Sequence, residues 1–125
     1  MKLTWLPERL AVCRLQSGEA IPSWALQHYT FLSITSTAEE LSIVCPIASV
    51  PAEVYREQPW RAIKVQGPLD FSLTGILASL ANPLATSGIS IFAISTFDTD
   101  YLLVRERDTT ITQTVLEQAG NIFVK

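Results

Sequence analysis

The second half of the chain changes its hydrophobic period several times, and this succession of periods is what most constrains the fold. Residues 62–66 alternate apolar and polar side chains and stop at Gly67-Pro68, which predicts a half-buried strand followed by a turn. From Phe71 to Leu84 the apolar residues recur at spacings of three and four. This spacing predicts an amphipathic helix, which Asp70 or Ser72 caps, Pro83 kinks or ends, and Gly88 closes.

The remainder of this half predicts a hairpin, a second helix and a last strand. Residues 89–95 are apolar at nearly every position, which predicts a central strand covered on both faces. Residues 101–105 predict its partner strand, with residues 96–100 as the turn. Thr110 with Gln113 fits a capping box, and Gly120 is placed to stop the helix, whose buried face is predicted to carry Ile111, Val115 and Ala119. With residues 121–124 as a strand, the order is β-α-β-β-α-β, the ferredoxin-like arrangement.

The first half repeats this pattern in shortened form. Residues 34–44 align without gaps on residues 94–104 at an offset of 60, and residues 11–15 align on residues 62–66 at an offset of 51. The repeat predicts a duplication, although alternating hairpins can also agree by chance. The first helix, near residues 22–26, is then only a turn or two, and residues 50–58 hold the remnant of the second. We therefore predict an α+β fold of two ferredoxin-like units in tandem, a reduced unit at 1–59 and a full unit at 60–125.

Composition and charge exclude several classes of protein. Hydrophobic residues make up 48% of the chain and charged residues 17%, which is more apolar surface than one small unit usually buries, so we expect an oligomer. The net charge is −3 and nine Lys and Arg are spread along the chain, so we expect no nucleic-acid partner. The apolar stretch at residues 73–84 is shorter than the ~20 residues that span a bilayer, so we expect no membrane segment. Residues 1–9 lack the pattern of a secretory signal, and we expect a cytoplasmic protein.

Four segments of the sequence resemble a known family. They are WRAIKVQGPLDF at 60–71, TGI at 74–76, GISIFAISTFDTDYLLV at 88–104 and, upstream, ELSIVCP at 40–46. Together they closely resemble the small bacterial tandem-ACT proteins, a group related to the ACT repeats of an animal cytosolic arginine sensor. The resemblance covers most of the chain from Leu10 onward.

The resemblance implies a non-catalytic regulatory or sensing protein. ACT domains commonly pair side by side and bind an amino acid where the loop after the first strand meets the second strand of a neighbouring ACT unit, so the resemblance implies a homodimer. The sequence departs from the better-known members, since no kinase, hydroxylase or dehydrogenase domain is attached, so the resemblance does not identify what a bound ligand would control. A regulated enzyme is among the expected partners. Carried onto this sequence, the ligand-binding loop and its facing element comprise Gly67, Pro68, Leu69, Asp70, Phe71, Thr74, Gly75, Ser95, Thr96, Phe97, Asp98, Thr99 and Asp100.

The chemistry of these residues independently suits a free amino acid. Gly67 lacks a Cβ and allows close approach, and the free N–H groups of residues 69–71 at a helix start favour a carboxylate. Asp98 and Asp100, with Asp70, offer partners for an ammonium or a cationic side chain. The alternatives are purely structural: a Gly-Pro turn, an N-cap at Asp70 and a hairpin turn at residues 98–100. A divalent metal on Asp98 and Asp100 lacks a defined third ligand.

Catalytic patterns are missing from the sequence. The single imidazole, His28, lies in an irregular segment, and no Ser-His-Asp, Cys-His or P-loop pattern can be assembled. Cys13 and Cys45 lie in apolar strand-like surroundings, which predicts buried reduced thiols in place of a zinc or redox site. We therefore predict no enzyme activity, no cofactor and no metal, and we expect the tryptophans to close cores. Two alternatives stay open, a structural or protein-interaction module with a vestigial ligand site and a small enzyme that uses Asp98 and Asp100.

Overall fold

The computed structural model describes residues 1–27, 30–67 and 75–125. The strands in these ranges are β1 Lys2–Trp5, β2 Leu10–Gln16, β3 Ser33–Ser36, β4 Glu40–Pro46, β5 Arg56–Val65, β6 Ile91–Ser95, β7 Asp100–Arg105 and β8 Ile122–Phe123. The α-helices are α1 Ile76–Thr86 and α2 Thr109–Gln118, and short 3-10 helices cover Ser23–Leu26, Ile47–Ser49 and Glu106–Asp108.

Contacts divide these residues into two compact units. The C-terminal unit comprises Met1–Pro7 together with Arg61–Lys125, and the N-terminal unit comprises Glu8–Trp60. The first seven residues belong with the C-terminal unit because β1 pairs there with residues 63–65. The division into ACT units at 1–59 and 60–125 stays a prediction.

The C-terminal unit has the strand order β6-β7-β5-β1-β8. Without β1, this is the strand order of a ferredoxin-like unit, so the predicted α+β fold class is confirmed. The added strand β1 pairs antiparallel with β5 and parallel with β8, and thus lies between the first and last strands of the motif. Leu3 of β1 is fully buried, and its transfer from water helps to hold β1 in this central place.

The N-terminal unit has the order β3-β4-β2-β5, which is the ferredoxin-like order with 3-10 helices in place of α-helices. The predicted first helix of a turn or two is confirmed at Ser23–Leu26. The predicted remnant helix at residues 50–58 is wrong, because the short helix is Ile47–Ser49 and β5 begins at Arg56. Val50 is extended, as expected for a residue that precedes a proline.

Each unit has its own hydrophobic core. In the C-terminal unit the buried cluster consists of Leu3, Ile63, Val65, Leu80, Leu84, Ile89, Leu102, Val104 and Leu116. In the N-terminal unit it consists of Ala11, Cys13, Ala25, Leu41, Ile43 and Cys45. Trp5 packs on the first cluster and Trp24 on the second, and Trp60 is buried, which agrees with the prediction that the tryptophans close cores.

The face that helix α2 turns to the core differs in part from the predicted one. Its fully buried residues are Thr112 and Leu116, whereas Ile111 of the predicted face is 49% exposed. Val115 of the predicted face does pack against the core, and Ala119 is exposed. The predicted capping box is also wrong: no side chain caps α2, and the Gln113 side chain accepts a hydrogen bond from Trp5 Nε1 at 2.9 Å. The predicted stop at Gly120 is confirmed, because Gly120 has a φ of 98° and its N–H donates to Glu117 O.

Helix α1 begins at Ile76, with Gly75 as its N-cap. The predicted caps Asp70 and Ser72, and the predicted start at Phe71, lie outside the described residues. Pro83 does not end the helix, which continues to Thr86. Gly88 closes it as predicted, with a φ of 75° and with its N–H donating to Ala85 O.

Strand β6 was predicted to be central and covered on both faces, and this is wrong. Within the described residues β6 pairs with β7 alone, because the ferredoxin-like order places this strand at an edge. Ala93 and Ser95 are exposed, and Ile91 and Ile94 are half-buried. The apolar run therefore forms an edge strand.

The two hairpins share the hydrogen bonds of their turns. The Thr37 N–H donates to Glu40 O at 2.9 Å, and the Thr96 N–H donates to Thr99 O at 2.8 Å. In both turns the threonine hydroxyl also donates to that same carbonyl. The matching pairs Ser36↔Leu41 and Ser95↔Asp100 lie at an offset of 59, so the offset of 60 taken from the sequence is one residue too large. The duplication itself stays a prediction.

Candidate functional site

The end of β5 and the turn between β6 and β7 line one cavity of the C-terminal unit. This cavity, named here the C-terminal cavity, has a volume of about 350 Å³ and is lined by Lys64, Gly67, Thr96, Asp98, Thr99 and Tyr101. Four of these residues, Gly67, Thr96, Asp98 and Thr99, are among the site residues predicted from the sequence. The structure thus brings Gly67, the first residue of the predicted loop, and the predicted turn together within a single unit, whereas the resemblance implies that the facing element comes from a neighbouring ACT unit.

A buried threonine holds the turn against the end of β5. Thr99 is 5% exposed, and its hydroxyl donates to Val65 O at 2.6 Å. Its N–H faces the Thr96 hydroxyl at 3.4 Å, which closes the turn from within. Since Val65 is two residues before Gly67 and Thr99 follows Asp98, these bonds hold the turn that carries Asp98 against the end of β5.

Lys64 and Tyr101 also line the cavity, although neither is among the site residues predicted from the sequence. Ile63 and Val65 belong to the core shared with the helices, so Lys64, between them, lies on the opposite face of the sheet. Tyr101 alternates in the same way with Leu102 of that core. The alternation at residues 62–66 already places Lys64 on the polar face, but only the pairing of β7 with β5 brings Tyr101 beside it.

Other predicted site residues do not line the cavity. The Asp100 carboxylate accepts a hydrogen bond from Ser95 Oγ at 2.6 Å, so these two side chains satisfy each other across the β6–β7 pair. Phe97 is 79% exposed at the turn and Gly75 caps α1. The remaining members of the predicted set lie outside the described residues: Pro68, Leu69, Asp70, Phe71 and Thr74.

Among the described residues, the lining of the C-terminal cavity includes one positive and one negative side chain. Lys64 supplies an ammonium group and Asp98 a carboxylate, and neither side chain bonds to another residue in the described part of the chain. Thr96 and Tyr101 add hydroxyl groups. Opposite charges in one small cavity match the two poles of a zwitterion. Among residues 1–27, 30–67 and 75–125, no three His, Cys, Asp or Glu side chains are grouped closely enough to hold a metal ion.

The two cysteines form a thiol pair inside the N-terminal core. Cys13 on β2 and Cys45 on β4 are free and buried, as predicted. A hydrogen bond from the Cys45 thiol lowers the pKa of Cys13 and outweighs the opposing effect of burial. The same bond, together with burial, raises the pKa of Cys45. His28, the imidazole considered as a partner, lies outside the described residues.

Neither the length nor the apolar character of any described helix is sufficient for it to cross a bilayer.

Relatives of known name match part of this chain. The human cytosolic arginine sensor for mTORC1 subunit 1 is 48% identical over 48 residues, which are 38% of this chain and 15% of that protein. The human putative protein CASTOR3P is 34% identical over 96 residues, 62% of this chain and 56% of that protein. The chain therefore spans only about 15% of the length of the arginine-sensor relatives that it matches.

Solved structures match nearly the whole chain. A crystal structure of an Agrobacterium tumefaciens protein is 46% identical, with a TM-score of 0.92, and the match covers 98% of this chain and 91% of that one. The regulatory subunit of aspartate kinase from Thermus flavus is 10% identical with a TM-score of 0.64, covering 94% and 95%, and shows the same fold.

Two family models match consecutive parts of the sequence. One, described only as an N-terminal domain, matches residues 8–53, which lie within the N-terminal unit. The other, described as the ACT domain, matches residues 55–118. Since this match covers half of the chain, the protein belongs to the ACT-domain family.

Proposed function

We propose that this chain is a non-catalytic regulatory protein that binds a free amino acid in the C-terminal cavity. The observation that carries the proposal is the presence of Lys64 and Asp98, oppositely charged and without a bonding partner in the described chain, in one cavity of about 350 Å³. A volume of this order lies in the range of small-molecule sites, roughly 300–1,000 Å³.

The charges of Lys64 and Asp98 determine the orientation of the ligand in this proposal. The α-carboxylate faces the Lys64 ammonium and the α-ammonium faces the Asp98 carboxylate, which makes both contacts charge-assisted. Thr96 and Tyr101 complete the polar part of the lining beside the ligand side chain. The carboxylate contact with the N–H groups of residues 69–71, expected from the sequence, stays a prediction outside the described residues.

The relatives support a regulatory role. One is named as an arginine sensor, and the fold is that of a regulatory subunit of aspartate kinase. We extend the proposal accordingly: the protein acts in the cytoplasm as a homodimer, a second copy closes the C-terminal cavity, and the bound ligand controls a separate enzyme. The high apolar content, 48% of residues, favours such self-association.

A thermal-shift screen against the twenty amino acids tests the binding proposal. A ligand at 100 times its Kd stabilises the fold by about 2.7 kcal/mol, so at least one amino acid should raise Tm clearly. Lys64→Gln and Asp98→Asn should each abolish that increase. Lys125→Gln and Glu117→Gln, which neutralise exposed charges outside the cavity, should keep it. A folded wild-type sample that responds to none of the twenty contradicts the proposal.

The second candidate is a protein-interaction module with a vestigial ligand site. It is favoured by β6, which in the described structure is an edge strand with an exposed Ala93 and half-buried Ile91 and Ile94. Such an edge can pair with another strand through its backbone. This candidate would be favoured if one partner protein bound the chain equally well with and without added amino acids, and if Ala93→Pro abolished that binding. Proline at Ala93 cannot extend a strand ladder.

A further inference from the structure

The N-terminal unit has a cavity of its own, separate from the site proposed above. Its volume is about 590 Å³, and it is named here the N-terminal cavity. The end of β2, the β3–β4 turn and the segment before β5 supply its lining, which consists of Arg14, Leu15, Gln16, Ser17, Glu19, Glu39, Glu53, Val54 and Tyr55. Backbone hydrogen bonding holds these parts together, since the Arg14 N–H donates to Tyr55 O at 3.1 Å.

The charges in this lining are unbalanced. Three carboxylates, Glu19, Glu39 and Glu53, face one guanidinium, that of Arg14. Arg14 already forms an ion pair with Glu40 at 3.4 Å and donates to Glu39 O. The Glu39 and Glu53 carboxylates bond to no other residue of the described chain. The N-terminal cavity therefore attracts positive charge.

The three carboxylates of the lining do not converge on one point. In the described part of the chain no three acidic, His or Cys side chains come close enough to hold a metal ion. A cavity of this size with separated carboxylates fits an extended cation whose charges are several bonds apart.

The uncharged part of the lining suits the carbon chain of such a cation. Leu15 and Val54 are half-buried against the N-terminal core, and the part of their surface that lines the cavity is apolar and can contact methylene groups. Tyr55 is 72% exposed, so its ring is accessible for a cation–π contact. The arrangement of apolar surface, aromatic ring and carboxylates is complementary to a flexible amine with a methylene chain.

The two cavities also occupy matching places in their units. Glu39 is the third residue of the β3–β4 turn, as Asp98 is of the β6–β7 turn, and both turns share the same hydrogen bonds. The charges of the two linings differ, because the described residues of the C-terminal cavity supply one carboxylate and one ammonium group. A zwitterion suits the C-terminal cavity, and a ligand of net positive charge suits the N-terminal one.

We propose that the N-terminal cavity binds a small organic cation that carries amine or guanidine groups on a methylene chain. The cationic groups contact Glu39 and Glu53, and the chain lies on Leu15 and Val54. This site acts independently of the amino-acid site in the C-terminal unit, so either proposal can fail while the other holds.

Titration of the whole chain with cadaverine and with agmatine, followed by amide chemical shifts, tests the proposal. Both probes lack a carboxylate and are poor ligands for the C-terminal cavity. The expected shifts lie at the amides of Gln16, Ser17, Glu39 and Tyr55. In the double variant Glu39→Gln/Glu53→Gln the affinity should fall by about tenfold, since two exposed charge contacts are lost.

A matched double variant separates this site from general charge effects. Glu8→Gln/Glu117→Gln makes the same change in net charge outside the N-terminal cavity and should bind the probes as wild type does. Calcium chloride should cause no shifts at the four amides. Shifts that lie elsewhere, an equal loss of affinity in both double variants, or saturable calcium binding at these amides each overturn the proposal.

Discussion

Two buried threonines of the C-terminal unit should respond in opposite directions to the same substitution. Thr99 is 5% exposed and its hydroxyl donates to Val65 O at 2.6 Å, whereas Thr112 is fully buried and its hydroxyl has no hydrogen-bond partner in the described structure. Valine replaces the hydroxyl by a methyl group of similar size. Thr99→Val therefore removes a bond, and Thr112→Val removes an unsatisfied polar group.

The expected changes in the free energy of unfolding follow from the environments of the two hydroxyl groups. Loss of the Thr99 bond costs its net contribution and leaves a carbonyl poorly satisfied, so the free energy of unfolding should fall by about 2 kcal/mol. Replacement of the Thr112 hydroxyl relieves a buried polar group without a partner and should raise the free energy of unfolding by about 1 kcal/mol. For a chain of this length 1 kcal/mol corresponds to a Tm change of about 4 °C.

Urea denaturation of wild type and both variants, with thermal melts in parallel, measures these changes. Equal m-values would show that the unfolded state is unchanged, so that the midpoints report stability alone. Thr99→Val should also weaken amino-acid binding, because it releases the turn that carries Asp98, and Thr112→Val should leave binding unchanged. Destabilisation by Thr112→Val, or no effect of Thr99→Val on stability, would refute the reasoning.

Two further predictions concern α2 and the thiol pair. Leu116→Ala, at a fully buried position of α2, should lower the free energy of unfolding by about 2–5 kcal/mol. Ile111→Ala, at a position that is 49% exposed, should lower it by well under half of that amount. Similar losses of stability for the two variants in urea denaturation would contradict the observed helix face. Cys45→Ala removes the hydrogen bond that lowers the pKa of Cys13, whereas Cys45→Ser keeps a hydroxyl donor. The ultraviolet titration of the Cys13 thiolate should therefore lie at higher pH in Cys45→Ala than in Cys45→Ser. Identical titrations in the two variants would show that this hydrogen bond does not lower the pKa of Cys13.

The fold class was predictable because strand and helix periods are local. The alternation at residues 62–66 and the hairpin at residues 91–105 are properties of short segments, and both are confirmed. The place of β1 was not predictable in this way, because Lys2 pairs with Ile122 across nearly the whole chain. The edge position of β6 likewise depends on strand order, which the apolar run at residues 89–95 does not encode.

The rotation of α2 shows how a helical pattern can mislead. Ile111, Val115 and Ala119 are apolar and correctly spaced, and yet Thr112 and Leu116 are the buried residues. Threonine carries a methyl group and is tolerated in a core, so polarity alone assigned it wrongly to the surface.

The sequence predicted the turn residues of the candidate site but missed its positively charged residue, Lys64. Gly67, Thr96, Asp98 and Thr99 were predicted from the resemblance to ACT domains, and Gly67 and Asp98 also from their chemistry; all four line the C-terminal cavity. Lys64 was not predicted as a site residue, since a lysine on the polar face of a strand is usually solvated. Its relevance depends on the neighbouring strand, which places Tyr101 beside it.

The central place of β1 makes the first residues of the chain relevant to the cavity. Thr4 of β1 is the strand partner of Lys64, and Gln66 donates through its backbone to Lys2 O at 2.9 Å. A fragment cut to the boundaries of the ACT-domain match would lack this support, and removal of only five residues or a bulky fusion at Met1 would disturb the backbone that carries the ammonium group. Tag placement and proteolytic trimming at this end should therefore perturb the proposed ligand site, whose Lys64 lies about sixty positions away in sequence and one strand away in space.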